Sequence, residues 1–297
     1  MKTLIKNTIL FSVILFLSST IYADNLRVIH EKNFTVKSNS KIIVDASAAN
    51  INIQGWDKDE AYIKITGNDN AEEKMRFKIE QRGDAVYVYA KKKNSFFSWF
   101  TNIKLRIEIM VPKKFNAKLE TSGGDIMLSN ISGSQKLETS GGDITLENTS
   151  GKVDCGTSGG DIKLTNHNGE TFLETSGGDI DVFECSGNLR AETSGGDINI
   201  NLRDGQIIAE TSGGDIDIFY SGKNKGIKAE TSGGDIRVKV PSDFEANAYL
   251  DTSGGSVKVN TKTSSVDVKK RSEFRGQLNG GGPSVNLETS GGNVTLE

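Results

Sequence analysis

From residue 117 onward the chain alternates apolar and polar residues in short runs that end in glycine. Ile144-Thr145-Leu146-Glu147 and Ile180-Asp181-Val182 are typical, with every second position apolar. A period of two is that of a strand with one buried face. Carried backward, the alternation turns Leu119, Leu137, Leu173 and Ala191 inward and the glutamate after each outward. A threonine then points in and a serine out, until a Gly-Gly pair breaks the rule. Glycine recurs every nine residues from Gly124 to Gly214, and Thr-Ser-Gly-Gly begins at Thr121, Thr139, Thr157, Thr175, Thr193 and Thr211. The unit is therefore 18 residues, with two strands and two corners. The phrase returns at looser spacing at Thr231, Thr252 and Thr289.

A fixed period near 20 residues marks a solenoid. A row of hairpins would not need the same letters at every second corner. Stacked coils do, because each side chain lies about 4.8 Å from its copy in the next coil. The pattern predicts an all-β fold: a right-handed parallel β-solenoid with 18-residue, two-strand coils. Gly-Gly is expected at the corner for its access to positive φ. Cys155 and Cys185 fall six strand positions apart in the coil register, about 20 Å, too far for a disulfide and so two free thiols.

Residues 24–116 lack the phrase but carry strand patterns at Lys41–Val44, Ala61–Thr66, Met75–Gln81, Ala85–Lys91 and Lys104–Val111. Asp45-Ala-Ser-Ala-Ala-Asn-Ile51 matches Glu-Thr-Ser-Gly-Gly-Asp-Ile in chemical type, so a degenerate first coil is expected near residue 40. The expected organisation is a β-rich, sandwich-like leading section over 24–116, continuous with a repeat solenoid over 117–297. At the far end Lys262–Arg275 and the Gly280-Gly-Gly-Pro283 stretch are irregular. Either they fold over the last coil, or an open edge is left for end-to-end self-association.

Residues 1–23 read as a secretory signal peptide: Lys2 and Lys6, an apolar core over Thr8–Leu17, then small residues up to Ala23. Export to the periplasm, the cell surface or the medium is therefore expected. Charge is unevenly spread. Residues 24–116 hold 17 Lys/Arg against 12 Asp/Glu, and 117–240 hold 11 against 20. An acidic repeat body excludes nucleic acid as a partner, which demands a basic stripe. The two histidines, His30 and His167, stand near no plausible nucleophile and no zinc spacing is present, so an enzyme is not expected.

Two features carry candidate chemistry. Stacking aligns Asp125, Asp143, Asp161, Asp179, Asp197, Asp215 and Asp235 about 5 Å apart. Such a row either caps its own corners through backbone N–H groups or holds calcium, a cation that takes six to eight oxygen ligands. The second feature is Ser95-Phe-Phe-Ser-Trp-Phe100 after Lys91-Lys92-Lys93. Phe96, Phe97, Trp99 and Phe100 either touch a membrane or partner, or cover the open end of the solenoid.

The repeated Thr-Ser-Gly-Gly-Asp-Ile, the strand ending Val111-Pro112 and the terminal Gly-Gly-Gly-Pro…Ser-Gly-Gly-Asn-Val resemble the bacterial putative-adhesin family. That is a domain of unknown function related to the head-GIN domain. The resemblance spans roughly residues 34–297. It implies a β-solenoid and a non-catalytic surface or envelope protein, whose partner would be an envelope component, protein or glycan. It carries over no ligand residue. A calcium-stabilised binding module and a carbohydrate-active β-helix enzyme are the alternative readings.

Overall fold

The computed structural model describes residues 26–93 and 102–297. Two walls of strands rise side by side. On one wall Lys41–Ala46 is followed by Asn116–Glu120, Ser132–Glu138 and the second halves of Ile144–Gly156 and Ile162–Glu174. Leu189–Glu192, Ile207–Glu210 and Ile227–Thr231 then continue it, every pair parallel. On the other wall Asn50–Trp56, Ile126–Ser129 and the first halves of the same two long strands lead to Ile180–Ser186, Ile198–Arg203, Ile216–Ser221 and Ile236–Lys239. The fold is a parallel β-solenoid.

Register explains the repetition of letters. Ile144 faces Ile162 and Leu146 faces Leu164, each residue opposite its copy one coil on. Ile126, Ile144, Ile162, Ile180, Ile198, Ile216 and Ile236 form one inner row, and all are buried. Leu119, Leu137, Cys155, Leu173, Ala191, Ala209 and Ala229 form the facing row. Like shapes stacked at one spacing leave no voids, which is how a core only two walls thick reaches close packing. Both cysteines are free and buried, as the register requires.

The degenerate copy is a coil: Asp45 faces Glu120 and Ile51 faces Ile126. It is not the outermost one. Ala85–Lys92 and Leu105–Pro112 stack in parallel on its outer side, so a later stretch of chain closes over an earlier one. Beyond them pairing turns antiparallel. Met75–Arg82 lies on Ala85–Lys92, and Glu60–Gly67 followed by Arg27–Thr35 lies on Leu105–Pro112. The sequence pattern did not reveal Arg27–Thr35 as a strand, nor the short helix Asp69–Lys74, which Asn68 caps through a 3.0 Å bond from the Ala71 N–H.

The far end holds a similar inversion. Ser284–Thr289 inserts between Ile227–Thr231 and Ala246–Thr252, and Val294–Leu296 between Ile236–Lys239 and Val257–Val259. The last phrase thus occupies an inner coil, and the coil of residues 246–259 lies outside it. On Ala246–Thr252 sits an antiparallel hairpin of Thr263–Lys269 and Glu273–Leu278. The irregular stretch therefore folds over the end of that wall.

Candidate binding surfaces

The phrase corner is a bond network that runs along the stack. The Thr193 hydroxyl donates to the Gly178 carbonyl one coil earlier (2.9 Å) and accepts the Gly196 N–H of its own coil (3.4 Å). The same pair of bonds recurs at Thr139, Thr157, Thr175, Thr211, Thr231, Thr252 and Thr289, all buried. A threonine pointing inward is thereby satisfied on both its donor and its acceptor side.

The Gly-Gly pair is explained differently from expectation. None of these glycines has positive φ. A Cβ on the second one (Gly142, Gly160, Gly178, Gly196, Gly214 or Gly234) would collide with the carbonyl of its counterpart one coil earlier. Close backbone approach, not turn conformation, excludes a side chain there. The first glycine has no such neighbour; around Gly177 a Cβ would meet nothing nearer than 3.7 Å.

The aspartates also bond along the stack and not within their own corner. Asp125 Oδ1 accepts the Asp143 N–H (3.1 Å), and the pattern continues through Asp161, Asp179, Asp197, Asp215 and Asp235 at 2.7–2.9 Å. Asp235 then accepts from the Asn293 N–H, and at the other end Asn50 Oδ1 accepts the Asp125 N–H. One oxygen of each carboxylate is thus committed. Among the described residues no three His, Cys, Asp or Glu side chains gather into a group able to hold a metal ion.

Beside this corner the outward glutamates and serines line an open furrow along the stack. One stretch, about 610 Å³, runs from Glu174 and Ser176 to Glu288 and Ser290. Cations two residues before the glutamates neutralise much of the row. Lys118 pairs with Glu120 (2.6 Å), Lys136 with Glu138 (2.7 Å), Arg190 with Glu192, and Lys228 with both Glu210 and Glu230 (3.0 and 2.9 Å). Gly156 leaves a gap in the row with open space around it.

The opposite corner combines a local turn conformation with the same close approach between coils, since a Cβ on Gly151, Gly169 or Gly187 would meet the carbonyl of its counterpart one coil earlier. Asn130, Asn148 and Asn166 adopt the left-handed conformation (φ 53–58°), and Gly133, Gly151 and Gly169 follow three residues later, also at positive φ. Glu184 takes the asparagine's place at φ 54°, inside a bulge between Val182 and Cys185. Inside this corner Thr149 Oγ1 lies 2.8 Å from His167 Nδ1, while His167 Nε2 is buried without a partner. Burial pushes the imidazole down to about 4. His30 stands far off, edge-on to the Phe77 ring at 5.3 Å.

Phe96, Phe97, Trp99 and Phe100 lie outside the described residues. Two exposed aromatics that the periodicity argument passed over are Phe183 and Phe219 (38% and 47% exposed), on the outer face of one wall. Their signal was present in the sequence: both occupy positions where the alternation demands a polar residue.

A family model described as Toastrack DUF4097, a domain of unknown function, matches residues 39–221 and again 186–297. The chain belongs to the Toastrack family. The match bears out the resemblance carried by the repeated phrase. No curated protein matches the chain. Among solved structures, a putative adhesin from Parabacteroides merdae shares 15% identity with this Toastrack chain over 92% of it and 96% of its own length, at a TM-score of 0.39. One from Bacteroides fragilis shares 16% over 92% and 97%, at 0.32. A putative lipid binding protein from Parabacteroides distasonis shares 14% over 90% and 96%, at 0.30. Likeness of that degree says nothing of this chain's ligand.

Proposed function

We propose that this Toastrack protein is exported and serves at the cell surface or envelope as a non-catalytic binding scaffold. The observation that carries this reading is where the repeated phrase spends its polar atoms. The threonine hydroxyl and one aspartate oxygen in each coil are engaged in bonds between coils. The repeat is therefore structural, and on this reading recognition falls to those outward positions whose residues differ from coil to coil. No helix among the described residues is long and apolar enough to cross a membrane. The partner on this reading is an envelope component, protein or glycan, with end-to-end association of copies as a further mode of assembly.

The test has two arms. Tagged protein expressed in a bacterial host is fractionated and its N-terminus sequenced. Recovery outside the cytoplasm with Asp24 first supports export, whereas intact Met1 in the cytoplasm overturns it. Purified protein is then mixed with washed envelopes that are untreated, protease-treated or periodate-oxidised. Binding to untreated envelopes is expected, and its absence would sink the scaffold reading. Protease and periodate separate protein from glycan partners.

A further inference from the structure

Phe183 and Phe219 stand on the outer face of one parallel wall, two strands apart, with Phe183 at the bulge between Val182 and Cys185. Thr165 faces Phe183 one coil below, and Asn201 faces Phe219. Asn201 lies on the strand between the two rings, so they are separated by two strand spacings, about 10 Å. A neighbouring outward row carries Asp181, Asn199 and Asp217, with Asn199 Nδ2 donating to Asp181 Oδ1 (3.0 Å) and Arg237 to Asp217 Oδ1 (3.2 Å). Lys163 lies 5.9 Å from the Phe183 ring centre and Lys239 6.0 Å from that of Phe219. Two aromatic rings exposed on one face, each with a lysine beside it, offer flat apolar surface to an external ligand.

We infer that this face is a binding site for a neutral, extended, β-linked polysaccharide. In such a chain successive sugars are turned over, so the same apolar sugar face recurs once per disaccharide. That repeat, about 10 Å, matches two strand spacings, the separation of the strands that carry the two rings. Each ring would stack under one sugar of a pair, while Asn201, Asn199 and Asp181 offer amide and carboxylate groups to the hydroxyls between. Charge favours a neutral polymer over an acidic one. Lys163, Arg237 and Lys239 balance Glu147, Asp181 and Asp217 on this face, within a repeat body that is itself acidic. A sheet that is rigid and already ordered loses little entropy on binding, which suits a weak but repeated contact along a polymer.

The inference rests on the scaffold reading but fails separately from it. Purified protein is run in native gels containing hydroxyethylcellulose or glucomannan, with dextran and polygalacturonate as α-linked and acidic comparators. Retardation by the β-linked polymers is expected. Phe183→Thr/Phe219→Thr should weaken it about tenfold or more, because both stacked surfaces are lost. Both rings are exposed, so the variant keeps its melting temperature, and Asn201→Ala gives a second variant with an intermediate loss. Three results would overturn the site: no retardation by either β-linked polymer, equal retardation by dextran or polygalacturonate, or full binding by the double variant. If envelopes still bind after periodate but not after protease, the scaffold stands and the glycan site falls.

Discussion

The two corners of each coil share close contact with the neighbouring coils but differ in backbone conformation. At the phrase corner the turn is held from outside, by bonds and contacts to the coil before and the coil after. At the other corner a residue in the left-handed conformation and a glycine three positions later at positive φ add a local element, although that glycine also lies against its counterpart one coil earlier. Residues held from outside must be alike in every coil, because each is its neighbour's partner. The left-handed position itself needs mainly the right backbone, so Asn130, Asn148, Asn166 and Glu184 all serve, while Gly151, Gly169 and Gly187 after it are fixed by the coil before. Sequence identity in this protein therefore reports contact between coils, not chemistry with a ligand.

The largest effect expected from breaking that difference is at Gly178. Alanine there places a methyl group against the Gly160 carbonyl, which the rigid coil cannot move aside. Gly178→Ala should cost about 3 kcal/mol in urea unfolding, the range of overpacking in a close-packed interior. Gly177→Ala, one residue away with free space, should change stability by less than about 0.5 kcal/mol. Equal costs would mean that both glycines serve the turn and neither the stack.

An effect of nearly the same size belongs to the other corner and depends on pH. His167 titrates near 6.5 when exposed and near 4 in the fold, where burial disfavours the charged ring. Between those values the unfolded chain holds the extra proton. The stability tied to the neutral ring is therefore complete above about 6.5 and lost as pH falls toward 4, to the extent of about 3 kcal/mol. His167→Gln should abolish this part of the acid sensitivity. A variant whose stability falls with pH as steeply as the parent would assign the loss to carboxylates instead.

The aspartate row comes next. Asp179→Ala removes the acceptor for the Asp197 N–H and should cost about 1 kcal/mol. Asp179→Asn keeps an oxygen in place and should cost only a few tenths, since it also relieves repulsion along the row. A melting temperature unchanged by EDTA is expected of the parent. A drop with chelator, together with an Asn variant as weak as the Ala variant, would give the row to a cation.

What was legible in the sequence follows the same division. Coil length and the inward rows could be read because Ile144, Ile162 and Ile180 face one another and so share a letter. The first coil could be read through Asp45 and Ile51, although its letters had drifted. The insertion of Ser284–Thr289 between two earlier coils could not. Stacking order is a long-range fact, and the phrase at Thr289 looks the same whether its coil is inside or outermost. The reason for Gly-Gly was also misassigned, because a glycine needed for close approach and one needed for positive φ are written alike. Phe183 and Phe219 went unremarked for the converse reason: a search for what repeats passes over the residues that break the repeat.

The smallest prediction tests the local corner on its own terms. Glu184 holds φ 54° where the three preceding copies hold asparagine. A left-handed residue with an ordinary Cβ pays a steric penalty that asparagine partly escapes through its own local hydrogen bonding. Glu184→Asn should therefore stabilise the protein by about 0.5 kcal/mol, seen as a higher urea midpoint at unchanged slope. Phe183 lies in the same bulge, between Val182 and Cys185, so the same variant should be assayed in the polysaccharide gel. If the midpoint rises while retardation falls, the glutamate and its bulge are kept to aim the aromatic ring, and this irregular turn belongs to recognition and not to folding.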